Sequence, residues 1–247
     1  MNTLAQDLDF SGRRVLVTGA ANGFGEAIAE LFAAHGAMLV LADREADALS
    51  EVASRLGATA YVYDQSDIAS VDALAAAAGE IDVLINNAGI LIAKPLLETS
   101  IEEIRQLVDV DFVGAVRLIQ LIGRGMVERR RGVVLSIGSQ TAFCGGENRT
   151  IYAASKAAIS QVTRSVSVEW GPFGVRVLCL APGRSITRMT QETARPGYTG
   201  DRGLSRVPLG RWGTTAEIAK MALFLTSDAA SYVTGETVIA DGGFVLG

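Results

Sequence analysis

The chain has 247 residues, enough for one large domain or two small ones, and is 49% hydrophobic but only 6% aromatic. A formal net charge of −5 argues against a nucleic-acid partner, because neutralising phosphates requires a basic face. Cys144 and Cys179 form neither a metal-spaced pair nor a disulfide framework. No apolar run approaches a membrane span, and MNTLAQDLDFSG lacks the basic start and apolar run of a signal peptide. These features predict a soluble cytoplasmic protein with no metal and no membrane partner.

In chain order, short apolar runs alternate with Ala-rich amphipathic stretches. Strands are expected over 14–18, 38–42, 58–63, 82–86, 133–137, 175–180 and 237–240, and helices over 24–35, 45–56, 67–78, 100–128, 152–170 and 215–226. The strands are nearly continuous Val, Leu and Ile, the pattern of a sheet covered on both faces. Alternating strands and helices predict a parallel sheet with right-handed crossovers, a single-domain doubly wound α/β fold of about seven strands. The segment over about 184–212 breaks this rhythm with Pro196, Gly197, Gly200, Gly203 and Pro208, and reads as a substrate lid.

The first strand runs into VTGAANGFGEAIAELF. Gly19, Gly23 and Gly25 follow G-x-x-x-G-x-G spacing, which differs from the G-x-G-x-x-G dinucleotide fingerprint. The physics is the same: glycines let the backbone approach a pyrophosphate, and the following helix offers unpaired N–H groups and the positive end of its dipole. Asp43 closes the second strand about 20 residues on, where an acid meets the adenosine ribose hydroxyls and repels a 2′-phosphate, favouring NAD over NADP. Arg44 reads either as a phosphate partner or as a solvated charge opening the next helix.

Tyr152 and Lys156 stand four apart in IYAASKAAIS, so on a helix they share a face. The pair reads as stem packing or as a phenol whose acidity is tuned, since a nearby cation favours the phenolate of a group with an ordinary pKa of about 10.

Taken in order, TGAANGFG, Asp43, NNAG at 86–89, a serine thirteen residues before YAASK, and PGRSIT after the sixth strand resemble the short-chain dehydrogenase/reductases. The stretch from PLGRWGTTAEIAK to VTGETVIADGG extends the resemblance over nearly the whole chain. The resemblance implies a Rossmann-type catalytic domain in which Tyr152 is the acid/base, Lys156 tunes it and holds the nicotinamide ribose, and Ser139 hydrogen bonds the substrate oxygen. It places Asn22 and Phe24 in the glycine turn, Asp64 and Gln65 at the adenine, and Asn87, Ala88 and Gly89 beneath the cofactor. Pro182, Gly183, Ser185 and Thr187 would flank the nicotinamide, and the assembly would be a homotetramer built on the two long helices and the C-terminal segment. Asp111 departs from the family, which usually has Asn there to hold a bend and a water-linked relay to the lysine. A charge at this position would pair with Lys156 and retune it, or leave a relay through the main-chain carbonyl intact. Asn86 reads as a strand stabiliser, Cys144 as packing and His35 as a helix C-terminal dipole partner.

The substrate is less defined. Arg184 and the other lid arginines suit a carboxylate or phosphate, or else subunit contacts and solvent. Gln140 and Asn148, in the polar stretch QTAFCGGENRTI, suit the hydroxyls of a sugar or polyol. The reading is an NAD-dependent oxidoreductase of a secondary alcohol, whether polyol, sugar, cyclic alcohol or hydroxy acid. The alternatives are an NADPH-dependent ketoacyl-carrier-protein reductase and a catalytically silent NAD-binding regulator. A sugar-nucleotide epimerase would need a larger C-terminal region.

Overall fold

Seven strands form one parallel sheet: β1 (Arg14–Thr18), β2 (Met38–Asp43), β3 (Thr59–Val62), β4 (Val83–Asn86), β5 (Gly132–Ile137), β6 (Val175–Pro182) and β7 (Thr237–Ala240). The structure, a computed structural model, describes residues 3–187 and 204–247. The strand order is β3-β2-β1-β4-β5-β6-β7, so the chain first builds outward from β1 and then returns across it to β4. Loops after β1 and β4 therefore diverge, leaving a crevice at the carboxyl ends of the strands.

One sheet face is covered by α2 (Gly23–Ala34), α3 (Ala46–Leu56) and α8 (Thr215–Thr226), whose Ile28, Phe32, Leu49, Val52, Ile218 and Leu223 join Val15, Val17 and Leu41 in one core cluster. The other face carries α4 (Ile68–Ala78), α6 (Ala115–Arg129) and α7 (Thr150–Trp170), with Val71, Leu74, Leu118 and Ile122 packed on Leu16, Val40 and Leu84. Alternate residues of β1 thus bury in opposite layers, as the continuous apolar strands require. The edge strand β3 departs from that pattern and is largely exposed. A short α1 (Leu4–Asp7), capped by Thr3, precedes the sheet.

The expected single helix over 100–128 is three pieces. α5 (Ile101–Val108) starts at a Ser100–Glu103 capping box, a π-helical segment Asp109–Gly114 follows, and α6 continues from it. A π turn leaves backbone carbonyls without the usual helical donor, and here neighbours supply donors: Gln65 Nε2 donates to Val110 O at 2.6 Å and Asn86 Nδ2 to Ala115 O at 3.1 Å. Gly114 permits the approach, since a Cβ there would overlap the Gln65 carbonyl oxygen.

Gly114→Ala should therefore cost roughly 1–3 kcal/mol by overpacking against backbone. The check is the urea midpoint; an unchanged midpoint would mean that the π segment tolerates displacement from Gln65.

Candidate active site

A cleft of about 570 Å³ opens at the carboxyl ends of the strands. At its near end, Gly19 follows β1 at φ 65° and a Cβ there would lie 2.9 Å from Ala88 Cα. A Cβ on Gly25 would overlap the Gly19 carbonyl oxygen, so Gly25 is a packing contact beneath the turn and does not line the cleft. Gly23, at φ 64°, differs: a Cβ there would meet only Thr187, at 3.8 Å, so its outer side is open. Asn22, the N-cap of α2, makes no side-chain capping bond, and with Phe24 it lines the cleft beside the helix N-terminus. An open glycine, a helix N-terminus and adjoining space fit a dinucleotide pyrophosphate.

Asp43 ends β2 at 8% exposure, its Oδ2 accepting from Ala21 N and its Oδ1 from Glu45 N, each at 3.0 Å. These bonds hold the carboxylate rigidly at the cleft wall, and each oxygen keeps a lone pair for a ribose hydroxyl. Arg44 is exposed at the rim. Asp64 also lines the cleft, but Ser66 engages it locally, and the bonds from the Ser66 hydroxyl and backbone hold its carboxyl below the usual range. Gln65 is a clamp: besides Val110 it donates to Ala88 O at 3.1 Å and accepts from the Tyr63 hydroxyl at 2.7 Å.

Below the cofactor-sized space, Asn87 Nδ2 donates to Thr18 O at 2.8 Å and Gly19 O at 3.1 Å, while the Thr18 hydroxyl accepts from the N–H groups of Asn87 and Ala88, each at 3.0 Å. The ends of β1 and β4 are so locked together. A side chain at Gly89 would crowd the pair behind it, because a Cβ would lie 3.0 Å from Lys156 Nζ and 3.1 Å from Asp111 Oδ1.

At the far end Ser139, Tyr152 and Lys156 come together. Ser139 follows β5 and caps a short 3₁₀ turn, its Oγ accepting from Thr141 N at 3.2 Å and lying 2.9 Å from the Thr141 hydroxyl. Tyr152 lines the same cleft from the first turn of α7, and its hydroxyl has no hydrogen-bond partner among the described residues. Lys156, 6% exposed, places Nζ 5.6 Å from the Tyr152 ring centroid and donates to Ile137 O at 3.4 Å. Behind it lies Asp111, 1% exposed, whose Oδ2 is 3.4 Å from Nζ and whose Oδ1 accepts from Ile90 N at 2.8 Å. Burial pushes the Lys156 pKa down, but the charge of Asp111, helped by Tyr152, outweighs it and the net shift is upward. Asp111 does not line the cleft and is separated from it by Lys156.

Pro182, Gly183, Arg184, Ser185 and Thr187 line the opposite wall. Gly183 N donates to Ala240 O at 2.8 Å, and a Cβ on it would lie 2.9 Å from Gln140 Oε1. The Arg184 guanidinium lies 5.5 Å over the Trp212 ring. Asn148 lies apart from the cleft: it is exposed at φ 58° in the turn before α7 and borders a small separate cavity. Residues 188–203, which hold Arg188, Arg195, Arg202 and most of the expected lid, lie outside the described residues. Thr141, Arg149 and Trp212 also line the cleft. Arg149 was discoverable, standing three residues before Tyr152 and hence on the same side of a helix start; nothing local to Trp212 announces it.

A family model described as enoyl-(acyl carrier protein) reductase matches residues 19–245. The chain belongs to the short-chain dehydrogenase/reductase family. Galactitol 2-dehydrogenase (L-tagatose-forming) of Cereibacter sphaeroides is 39% identical over 95% of this chain and 96% of that protein. The 3-oxoacyl-[acyl-carrier-protein] reductase of Escherichia coli is 36% identical over 97% and 100%. A solved structure from Beutenbergia cavernae, assigned as an NAD(P)-dependent gluconate 5-dehydrogenase and holding NADP at low occupancy, superposes with a TM-score of 0.92 at 36% identity, covering 98% of this chain and 100% of that one. Among the described residues, no helix is long and apolar enough to cross a membrane, and no group of three His, Cys, Asp or Glu side chains is placed to hold a metal.

The Lys156 shift gives a signed expectation. Its charge stabilises the site fully below the ordinary lysine range and is lost only as pH rises through the raised value. Asp111→Asn removes the main group opposing burial, with only Tyr152 and Cys179 left to raise the value, so the alkaline limb of the pH–rate profile should move to lower pH. Superimposable limbs in wild type and variant would separate Asp111 from the chemistry.

Proposed function

We propose that this short-chain dehydrogenase/reductase is an NAD-preferring dehydrogenase that interconverts a secondary alcohol of a small polyhydroxylated compound and the matching ketone. The observation that carries the reading is the Tyr152 side chain lining the cleft, its hydroxyl without a hydrogen-bond partner among the described residues and the buried Lys156 ammonium 5.6 Å from its ring centroid. A bound nicotinamide cofactor supplies the hydride acceptor in oxidation and the donor in reduction. Its pyrophosphate would rest on Gly19, Asn22 and Gly23, its adenosine ribose on Asp43, and its nicotinamide between Ser185, Thr187 and Gly183.

The protein's own part is proton transfer and positioning. In oxidation Tyr152 takes the hydroxyl proton as the carbinol C–H electron pair leaves with the hydride; in reduction it returns the proton to the carbonyl oxygen. Lys156 stabilises negative charge on the phenol oxygen, and Asp111 balances Lys156 so that a buried cation is tolerated. Ser139, fixed by Thr141, offers its hydroxyl to the substrate oxygen.

Two features support the substrate class: the polar wall of Ser139, Gln140 and Thr141, and the galactitol dehydrogenase among the relatives. NAD preference rests on the rigid Asp43 carboxylate, which would face a 2′-phosphate. A homotetramer is in keeping with exposed Val113 and Val168 on the two helices of one face and Leu246 at the C-terminal end.

The test is NAD(P)H formation on a panel of polyols, sugars, hydroxy acids and cyclic alcohols. Tyr152→Phe should lose about 10²–10⁴-fold in kcat, the usual contribution of a positioned acid/base; full retained activity would sink the reading. Asp43→Ser should move the NAD-over-NADP ratio of kcat/KM toward NADP by roughly tenfold, about 1.4 kcal/mol. A wild type preferring NADP would overturn the cofactor assignment alone.

A further inference from the structure

The acids lining the cleft are confined to one end. Asp43, Glu45 and Asp64 stand at the adenosine end together with Arg44, whereas the cationic side chains of Lys156, Arg149 and Arg184 stand at the reacting end, where no acid among the described residues lines the wall. Lys156 is neutralised by Asp111, and Arg184 is stacked on Trp212. Arg149 is different. It is the N-cap residue of α7, one turn before Tyr152, half-buried in the cleft wall, and among the described residues it forms no ion pair and no side-chain hydrogen bond.

A second polar group lining the same cleft also lacks a partner. Gln140 is 4% exposed, adjoins Ser139, and has its amide oxygen buried without a hydrogen bond against Gly183 on the opposite wall. A buried amide left unmatched is costly, so a polar ligand is the natural complement. A guanidinium presents a planar fork of donors, whereas a primary amide reads a hydroxyl as either donor or acceptor.

We infer that Arg149 binds a substrate carboxylate while Gln140 reads a hydroxyl beside the reacting carbon, so that the substrate is a polyhydroxy carboxylic acid of the aldonic type rather than a neutral polyol. This rests on the dehydrogenase reading above and narrows it. Among the described residues one unpaired guanidinium stands at this end of the cleft, which suits a monoanionic carboxylate; a phosphate dianion would call for further unengaged cations there. The first turn of α7 adds the positive end of a 21-residue helix to the same place.

The experiment compares initial rates on a six-carbon aldonic acid, the hexitol of the same configuration and a hexitol phosphate, using wild type, Arg149→Gln and Arg149→Lys with saturating cofactor. The wild type should prefer the acid. Arg149→Gln should lower the acid-over-hexitol ratio of kcat/KM by roughly 10- to 100-fold, the usual worth of a charged hydrogen bond, mainly through KM. Arg149→Lys should restore part of it. Melting temperatures identify a variant that has failed to fold, and aldonate binding to the cofactor-loaded wild type by calorimetry gives a readout independent of turnover. A wild type that favours the hexitol, or a ratio unmoved by Arg149→Gln, overturns the inference while Tyr152-dependent oxidation of the hexitol leaves the parent reading standing. Preference for the phosphate with the same Arg149 dependence overturns the carboxylate assignment. Absence of Tyr152-dependent turnover on every substrate removes both.

Discussion

A carboxylate with almost no exposed surface, Asp111, lies 3.4 Å from an ammonium almost as deeply buried, Lys156, and much of the reacting end is arranged so that both are tolerated. Neither charge would persist alone at such depth, since each carries a desolvation penalty of several kcal/mol that only its partner and surrounding dipoles offset. The structure supplies those dipoles from separate elements. Ile90 N–H approaches Asp111 from the loop after β4, and Ile137 O approaches Lys156 from the end of β5. Gly89 leaves the gap in which the pair meets. The phenol of Tyr152 thus looks onto a cation whose position is set by three chain segments.

That pair in turn depends on the π-helical segment from which Asp111 projects. The segment is held open by side chains that are not in it: Gln65, at the end of β3, takes the Val110 carbonyl, and Asn86, at the end of β4, takes that of Ala115. Side chains that follow or close two strands separated in the sheet by β2 and β1 therefore bear on the acid that faces Lys156. Geometry at the Tyr152–Lys156 end of the cleft and packing beside Gln65 are mechanically one object.

Much of this was legible in the sequence, and the reason is local. Continuous Val/Leu/Ile runs marked strands buried on both faces, and the edge strand β3, which is exposed along most of its length, is where that inference was least apt. The order of glycine turn, Asp43, NNAG, Ser139 and YAASK placed residues at the carboxyl ends of successive strands, which is where the doubly wound topology gathers them. What escaped was set by distant contacts. The π segment has no local signature separating it from an ordinary helix, because its stabilising donors come from residues 65 and 86. Gly25 read as a cofactor contact but serves the turn from below, and Asn148 read as a substrate contact but occupies a left-handed turn outside the cleft. Arg149, the cap of α7, lies outside the Tyr152–Lys156 spacing that marks the helix face, although it lines the same cleft.

The inserted π turn does one thing more. A single extra residue rotates the phase of a helix by about 100° without bending its axis far. α5 meets the protein through Leu107, whereas α6 buries Leu118, Ile122 and Met126 against the sheet. The π segment acts as a phase shifter: it lets one near-continuous rod change which of its sides is the inside, and it puts a polar residue at the crossover, where neither apolar stripe continues. A chain that straightened this turn would lose the register of one helix or the other. The irregularity that presents Asp111 to Lys156 is therefore also the joint that lets the two helices share a line while serving different neighbours.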